Sequence, residues 1–353
     1  MKALILAGGY GTRLRPLTCS RPKQLLPLTD STLIGYILNQ LRETGIKEVV
    51  LATGQNTDSL QSELGDGSQH GITLHFSQEP HPLGTAGAIK FAEPYLPEKT
   101  PFLVLNGDIV SNIPYHHLIH YHHEHQAMAT IALYRVADPS RYGVVDITVN
   151  GLIQRFVEKP RPAQAPSNLI NAGCYILNHA VLDQIPTNQV VSLEYDVFPV
   201  LCQSHGVFGW EHHGFWVDTG TPASFLEAHQ TIRSQMHKTP FVGSETRIAK
   251  LAKIEPTVTI GNHVVIGAHS QISNSIIFND AVIGEGTIID SSIVGQGAQI
   301  GNNLHLEAHT IVGDGAILDT GAIIESGALV CPGYHVEKGE KPPYCFVKHL
   351  IPL

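Results

Sequence analysis

Two rhythms of apolar residues divide this chain. Over about the first 235 residues, short apolar runs alternate with segments of helical spacing. Met1 to Ala7 (MKALILA), Glu48 to Ala52 (EVVLA) and Pro101 to Leu105 (PFLVL) read as strands buried on both faces, and Leu33 to Thr44 between the first two reads as a helix. Alternation of this kind predicts a mostly parallel sheet covered by helices, an α/β class. In such sheets ligands lie beyond the carboxyl ends of the strands. The turns after these runs are therefore where chemistry is expected.

From Thr257 the rhythm becomes six. Aliphatic residues fall at Ile260, Ile266 and Ile272, then at Ile277, Ile283 and Ile289, then at Val294, Ile300, Leu306, Val312, Leu318, Ile324 and Val330. The step between runs slips to five. Glycine often follows, as in Ile260-Gly261 and Ile300-Gly301. A hexapeptide period marks a left-handed parallel β-helix, three short strands per coil, with aliphatics stacked inside. An antiparallel meander would show period two. The chain is thus expected to carry an α/β domain over 1–237, a linker over 238–256, a β-helix over 257–336 and a tail over 337–353.

Composition narrows the partners. The chain has 353 residues, 42% of them hydrophobic, and a formal charge of −9, with no basic run. A nucleic-acid surface is not expected. Cys19, Cys174, Cys202, Cys331 and Cys345 form no CxxC pair, so neither a zinc knuckle nor a disulfide framework is indicated. The apolar start is too short for a signal peptide, and no run approaches the roughly 20 apolar residues that span a bilayer. A cytoplasmic protein is expected.

The first predicted strand empties into Gly8-Gly9-Tyr10-Gly11-Thr12-Arg13-Leu14-Arg15-Pro16-Leu17-Thr18, with Lys23 close behind. Glycines allow sharp bends and bring backbone N–H groups near anionic oxygens, while Arg13 and Lys23 supply charge. This is a device for holding a polyphosphate, yet it has neither the Walker A ending nor a GxGxxG. A second candidate is the pair Asp108, at the end of the PFLVL strand, and Asp218, before a helix. Two carboxylates can share Mg²⁺, a hard ion that prefers oxygen. Taken singly, each is also an ordinary turn or cap residue.

The string Gly-Gly-x-Gly-x-Arg-Leu-x-Pro-Leu-Thr followed by Pro-Lys resembles the signature of the sugar-phosphate nucleotidyltransferases. Pro82-Leu83-Gly84-Thr85-Ala86-Gly87, Tyr142-Gly143-Val144-Val145, Arg155-Phe156-Val157-Glu158-Lys159-Pro160 and Gly214 to Gly220 (GFWVDTG) extend the likeness over nearly the whole chain. They are most similar to mannose-1-phosphate guanylyltransferases that carry a β-helix. Leu25-Leu26-Pro27-Leu28 is closer to the glucose-1-phosphate thymidylyltransferases.

The resemblance implies nucleotidyl transfer from an NTP to a sugar-1-phosphate, with Mg²⁺ as cofactor. Arg13, Lys23, Asp108 and Asp218 would be catalytic, the two aspartates holding the metal. Leu6, Ala7, Gly8, Gly9, Gly11, Thr12, Arg13, Lys23, Gly84, Thr85 and Asp108 would bind the nucleotide. Gly143, Glu158, Lys159, Asn171 and Gly173 would bind the sugar phosphate. Glu79 would read the base: a carboxylate accepts both guanine N1–H and the 2-amino group, which favours GTP. Its neighbour Gln78 would suit thymine or uracil, so a slip of one residue reverses the inference.

A thymidylyl- or uridylyltransferase is the alternative within this class. A non-catalytic scaffold relative is the alternative outside it, and a second acyltransferase activity using His305, His309 or His335 is a further one. The cluster His116, His117, His120, His122, His123 and His125 is expected to be a solvated helix face. The β-helix is expected to join copies into a homo-oligomer.

Overall fold

The computed structural model describes residues 1–54, 57–204, 206–236, 239–343 and 345. The chain divides into two compact units. One comprises Met1–Gly9 and Ile34–Trp216, the other Tyr10–Leu33 and Val217–Leu353.

In the first unit, β1 (Ala3–Leu6), β2 (Glu48–Thr53), β3 (Thr73–Gln78) and β4 (Phe102–Asn106) run parallel, with β1 between β2 and β4 and β3 beyond β2. Phe102 to Leu105 of the run PFLVL are buried because they lie inside this layer, as continuous apolar strands of parallel sheets do. β5 (Ala129–Arg135), β6 (Gly143–Ile147), β7 (Ile153–Glu158), β8 (Leu169–Leu177) and β9 (Val207–Glu211) complete a sheet of nine strands among the described residues. Here β8 is antiparallel to β4, β5 and β6.

The parallel strands end in register, Leu6 opposite Ala52 and Asn106, and Thr53 opposite Gln78. Their exits are tied together. Ala7 N–H donates to the Ala52 carbonyl at 2.8 Å, Glu79 N–H to that of Thr53 at 2.9 Å, and Gly107 N–H to that of Leu6 at 3.0 Å. Gly8, Glu79 and Asp108 therefore leave the sheet at one edge.

The histidine helix spans Tyr115–Glu124. His116, His117, His120 and His123 are exposed, as expected, but His122 is buried and its Nδ1 lies 2.9 Å from Thr130 Oγ1. The helix turns this residue, with Leu118, to the inner face. Burial lowers its pKa to about 4, with His123 adding to the effect.

In the second unit, strands of two or three residues stack into three parallel sheets, the architecture of a left-handed β-helix. Ile260 pairs with Ile277 and Ile277 with Val294, steps of 17 residues, whereas Val294 pairs with Val312 and Val312 with Val330, steps of 18. The five-residue slips in the sequence are these shorter coils. Their corners, Asn274 and Ser291, have φ of 46° and 45°. His309 is also a corner, at φ 68°.

Stacking begins earlier than the expected boundary. Phe241–Val242, Arg247–Ile248 and Lys253–Ile254, inside the expected linker, pair with the next coil. Val242, Ile248 and Ile254 extend the six-residue spacing back from Ile260, and Val242-Gly243 keeps the aliphatic–glycine pair, although Ala249 and Glu255 stand where glycine follows in other coils. Cys331 and Cys345 form a disulfide, contrary to expectation. They are 14 residues apart in sequence, but the chain returns on itself and brings their Cα atoms to 5.4 Å.

Residues 10–33 pack on this unit. Leu14, Leu17 and Leu26 share a cluster with Phe225 and Leu226 of the helix Pro222–Met236 and with Ile276, Phe278, Ile293 and Ile311 of the β-helix. Ile276, Ile293 and Ile311 each precede an inward-facing residue in their strands, so they form an outward row on one sheet. Each such side chain, fully buried, contributes about 1.5–3 kcal/mol.

Candidate active site

In the first unit the glycine loop starts at the mouth of β1. A Cβ on Gly8 would lie 2.9 Å from Glu79 Oε1, so the carboxylate occupies the space a side chain would need. Glu79 Oε2 accepts from Leu83 N–H at 3.0 Å. Burial raises the Glu79 pKa, and the Leu83 N–H and His81 oppose that shift. Gln78 ends β3 with an exposed side chain. Of the two, Glu79 is the one set against the loop.

The helix Gly84–Phe91 follows. Its first N–H groups are partly committed, since Ala86 and Gly87 donate to the Val191 carbonyl at 3.0 and 3.1 Å. The Thr85 hydroxyl donates to Glu194 Oε2 at 2.7 Å and accepts from Leu193 N–H at 2.8 Å. This side chain ties the helix to the segment 191–194, a task the sequence reading did not foresee.

Asp108 follows the Gly107 turn at the sheet edge and is half-buried. On β7, Glu158 Oε1 is 3.4 Å from Lys159 Nζ, while Oε2 is buried without a hydrogen-bond partner. Gly143 faces Glu158 across the strand pair, and a Cβ there would come within 2.7 Å of Oε2. Burial raises the Glu158 pKa, Lys159 opposes and Glu194 adds to the rise.

On β8, Asn171 bridges a bulge, its Nδ2 donating to Tyr175 Oη at 2.8 Å and its Oδ1 accepting from Gly173 N–H at 2.9 Å. Gly173 has φ 69° and lies against Asn106, whose Nδ2 would be 2.7 Å from a Cβ there. Asn106 Oδ1 is buried and unpartnered. Asn106 was not among the expected candidates. The signal was available: it is the polar residue that interrupts an apolar strand just before Gly107-Asp108.

In the second unit, Gly11 has φ 62°, and Thr18 and Lys23 crowd its inner face, each with a carbon 3.0 Å from where a Cβ would stand. Thr18 Oγ1 donates to the Gly11 carbonyl at 2.8 Å. Lys23 opens a short 3-10 helix and is buried, whereas Thr12 and Arg13 are exposed. Asp218 ends the strand Trp216–Asp218, and its Oδ1 accepts from Gly220 N–H at 2.8 Å. It braces the turn before the next helix, which Thr221 and Ser224 cap reciprocally. A Cβ on Gly220 would meet Arg13 Nη2 at 2.7 Å and Asp218 Oδ1 at 2.8 Å, so guanidinium and carboxylate flank the same glycine.

Among the described residues no three His, Cys, Asp or Glu side chains gather as a ready metal cage. The acidic residues of the site offer carboxylate oxygens, the donor type Mg²⁺ takes when one or two side chains and the substrate phosphates complete its shell. The β-helix histidines lie on the outside: His335 Nε2 pairs with Asp319 at 2.9 Å, and His305 is exposed.

Comparison with known proteins gives the family of the chain. Residues 2–235 match the nucleotidyl transferase family, and residues 236–343 match the family described as the GMPPB C-terminal domain. Mannose-1-phosphate guanyltransferase beta-B of Xenopus laevis is 39% identical over 275 residues, 74% of each chain. A probable mannose-1-phosphate guanylyltransferase 2 of Oryza sativa is 40% identical over 271 residues, 76% of this chain and 73% of that protein. Among solved structures, a Bacillus anthracis protein described as a glucose-1-phosphate thymidylyltransferase superposes with a TM-score of 0.60 at 26% identity, covering 65% of this chain and 93% of that one. With the glycine loop, Asp108, the Glu-Lys-Pro strand and the stacked coils all in one sequence, the chain belongs to the nucleotidyl transferase family.

Proposed function

We propose that this protein transfers a guanylyl group from GTP to mannose-1-phosphate, giving GDP-mannose and pyrophosphate. The observation that carries the nucleotide half is Glu79 set against Gly8, where β1 opens into the loop. Its carboxylate suits the two adjacent donors of guanine. The sugar half rests on the curated relatives, which are mannose-1-phosphate guanylyltransferases.

In this reading an oxygen of the sugar phosphate attacks the α-phosphorus of GTP, the bond to the β-phosphate oxygen breaks, and pyrophosphate leaves. The attacking oxygen is already anionic, so no general base is required. Catalysis is alignment and charge neutralisation. Gly8, Gly9, Gly11 and Thr12 offer backbone to the phosphates, continuing from Leu6 and Ala7. Arg13 stabilises charge on the departing pyrophosphate, and Lys23 holds phosphate near the reacting centre. Gly84 and Thr85 contribute through the backbone, since the Thr85 hydroxyl is committed elsewhere. The unpartnered Glu158 Oε2 accepts from a sugar hydroxyl. Gly143 leaves room for it, Lys159 meets the sugar phosphate, and Asn171 and Gly173 shape the same face.

Asp108 and Asp218 would hold Mg²⁺, which when bound neutralises triphosphate charge. Assembly of copies through the β-helix and residence in the cytoplasm belong to the same reading. Among the described residues no helix is long and apolar enough to cross a membrane.

Pyrophosphate release with Mg²⁺, crossing GTP, dTTP, UTP and ATP with mannose- and glucose-1-phosphate, tests the proposal. Release confined to GTP with mannose-1-phosphate is expected. A preference for dTTP or UTP with glucose-1-phosphate would keep the reaction and overturn the base and sugar. Release from no pair would reject the reaction.

A further inference from the structure

The segment that carries Arg13 and Lys23 is not held by its own backbone alone. Its apolar side, Leu14, Leu17 and Leu26, lies on the outward isoleucine row of the β-helix. Its polar bend is pinned at one carboxylate. Asp314 Oδ2 accepts from Ser20 Oγ at 2.5 Å and from Arg21 Nη2 at 2.6 Å. The same Arg21 nitrogen donates to Gln296 Oε1 at 2.8 Å, and the guanidinium lies 5.9 Å from the Phe278 ring centroid. Asp314 is itself fixed, its Oδ1 accepting from Gln296 N–H at 2.7 Å.

Two features make this more than surface decoration. The Arg21 and Asp314 side chains are mostly buried, at 21% and 15% exposure, so their attraction is less screened than that of a surface pair. And Arg21 stands two residues before Lys23, whose stem packs with Thr18 against Gly11, two residues before Arg13. A shift at residues 20–21 passes through a packed set of atoms to both cations, and misplacement of about 1 Å can cost on the order of 100-fold in rate.

We propose that Asp314 of the β-helix is a positioning residue for nucleotidyl transfer. By holding Ser20 and Arg21 it sets the loop that presents Arg13 and Lys23. The β-helix then serves turnover within each copy of the chain, besides any role in assembly. The inference rests on the proposed reaction, because it assigns Asp314 to the loop that reaction uses.

The test uses the full chain and the variants Asp314→Ala, Asp314→Glu, Arg21→Ala and the double Arg21→Ala/Asp314→Ala, with Asp319→Ala as control. Two quantities are read: kcat and KM for each substrate, and the rate of trypsin cleavage after Arg13 or Lys23. We expect Asp314→Ala to lower kcat about 10-fold or more, with a smaller change in KM for the sugar phosphate. Asp314→Glu should restore most of the loss. The double variant should be no worse than Arg21→Ala, since both residues act through one contact. Trypsin should cut the loop at least several-fold faster in Asp314→Ala, because a segment held by fewer contacts opens more often.

Turnover and cleavage both within twofold of wild type in Asp314→Ala would overturn the inference. If Asp314→Ala does not fold, Gln296→Ala and Arg21→Ala decide the same two readouts from the other side of the contact. A wild-type protein inactive with every substrate pair would reject the reaction itself, while the cleavage rates would still decide whether Asp314 holds the loop.

Discussion

Glu79 Oε1 stands 2.9 Å from the point where a side chain on Gly8 would begin. This contact joins the exit of β3 to the exit of β1, so the residue assigned to the base and the loop assigned to the phosphates share one anchor. Glu79→Gln replaces an acceptor with a donor opposite two guanine donors. The expected result is a fall of about 10- to 100-fold in kcat/KM for GTP, with a smaller change for dTTP or UTP. Steady-state kinetics with each nucleotide checks it, and an unchanged preference would remove Glu79 from base selection.

Arg13 is exposed and flanks Gly220 with Asp218, so its loss should leave folding intact. Arg13→Ala should reduce kcat by about 100-fold or more, the scale of removing one fixed charge at a phosphoryl transition state. The unfolding midpoint should shift little. Full turnover in a folded Arg13→Ala protein would sink the assignment.

Glu158 Oε2 is buried and makes no hydrogen bond within the protein. An unsatisfied buried group costs about 1–3 kcal/mol. Glu158→Leu should therefore melt at the same temperature as wild type or higher, yet lose at least about 10-fold in kcat/KM for the sugar phosphate. Calorimetry and kinetics on the same preparation read both. A variant that loses stability and keeps its kinetics would show the carboxylate to be structural.

Two buried histidines make stability depend on pH. Burial lowers the His229 pKa from 6.5 to about 3, with the Pro27 carbonyl opposing, and His122 to about 4. His229 Nε2 lies 3.0 Å from that carbonyl oxygen and Nδ1 3.3 Å from Thr259 Oγ1. Above 6.5 both rings are neutral whether the chain is folded or not. As pH falls below 6.5 the unfolded chain takes up protons that the folded one refuses, so stability is lost towards the folded values. The slope is at most about 1.4 kcal/mol per pH unit for each histidine. Melting temperatures between pH 7.5 and 4.5 should fall on the acid side, and His229→Gln should flatten part of that fall. A curve that His229→Gln leaves unchanged would contradict the assignment.

What could be read in the sequence follows from what each residue faces. Ile260, Ile266 and Ile272 point into the coil, so their period was visible, as was the shared edge of Gly8 and Asp108. The doublets Ile276-Ile277, Ile293-Val294 and Ile311-Val312 were equally visible, yet period six explains only the second member of each. The first members form the row on which residues 10–33 pack. Local pattern cannot name a partner some 260 residues away, and for the same reason the Arg21–Asp314 contact was hidden. Thr85 and Asn171 were read as ligand contacts because their motifs carry them. Their side chains make intramolecular hydrogen bonds that only tertiary structure supplies. The expected linker is a coil because Val242, Ile248 and Ile254 carry the same spacing of six up to Ile260, so this part of the fold was legible in the sequence as well.

The most direct test of the account follows the α-phosphate. The protein is incubated with Mg²⁺, mannose-1-phosphate and GTP labelled at the α-phosphorus, and the products are separated. The account predicts label in GDP-mannose, with unlabelled pyrophosphate released in equal amount and none formed when the sugar phosphate is omitted. Label remaining in GTP, or appearing as GMP or GDP whether or not sugar phosphate is present, would contradict it.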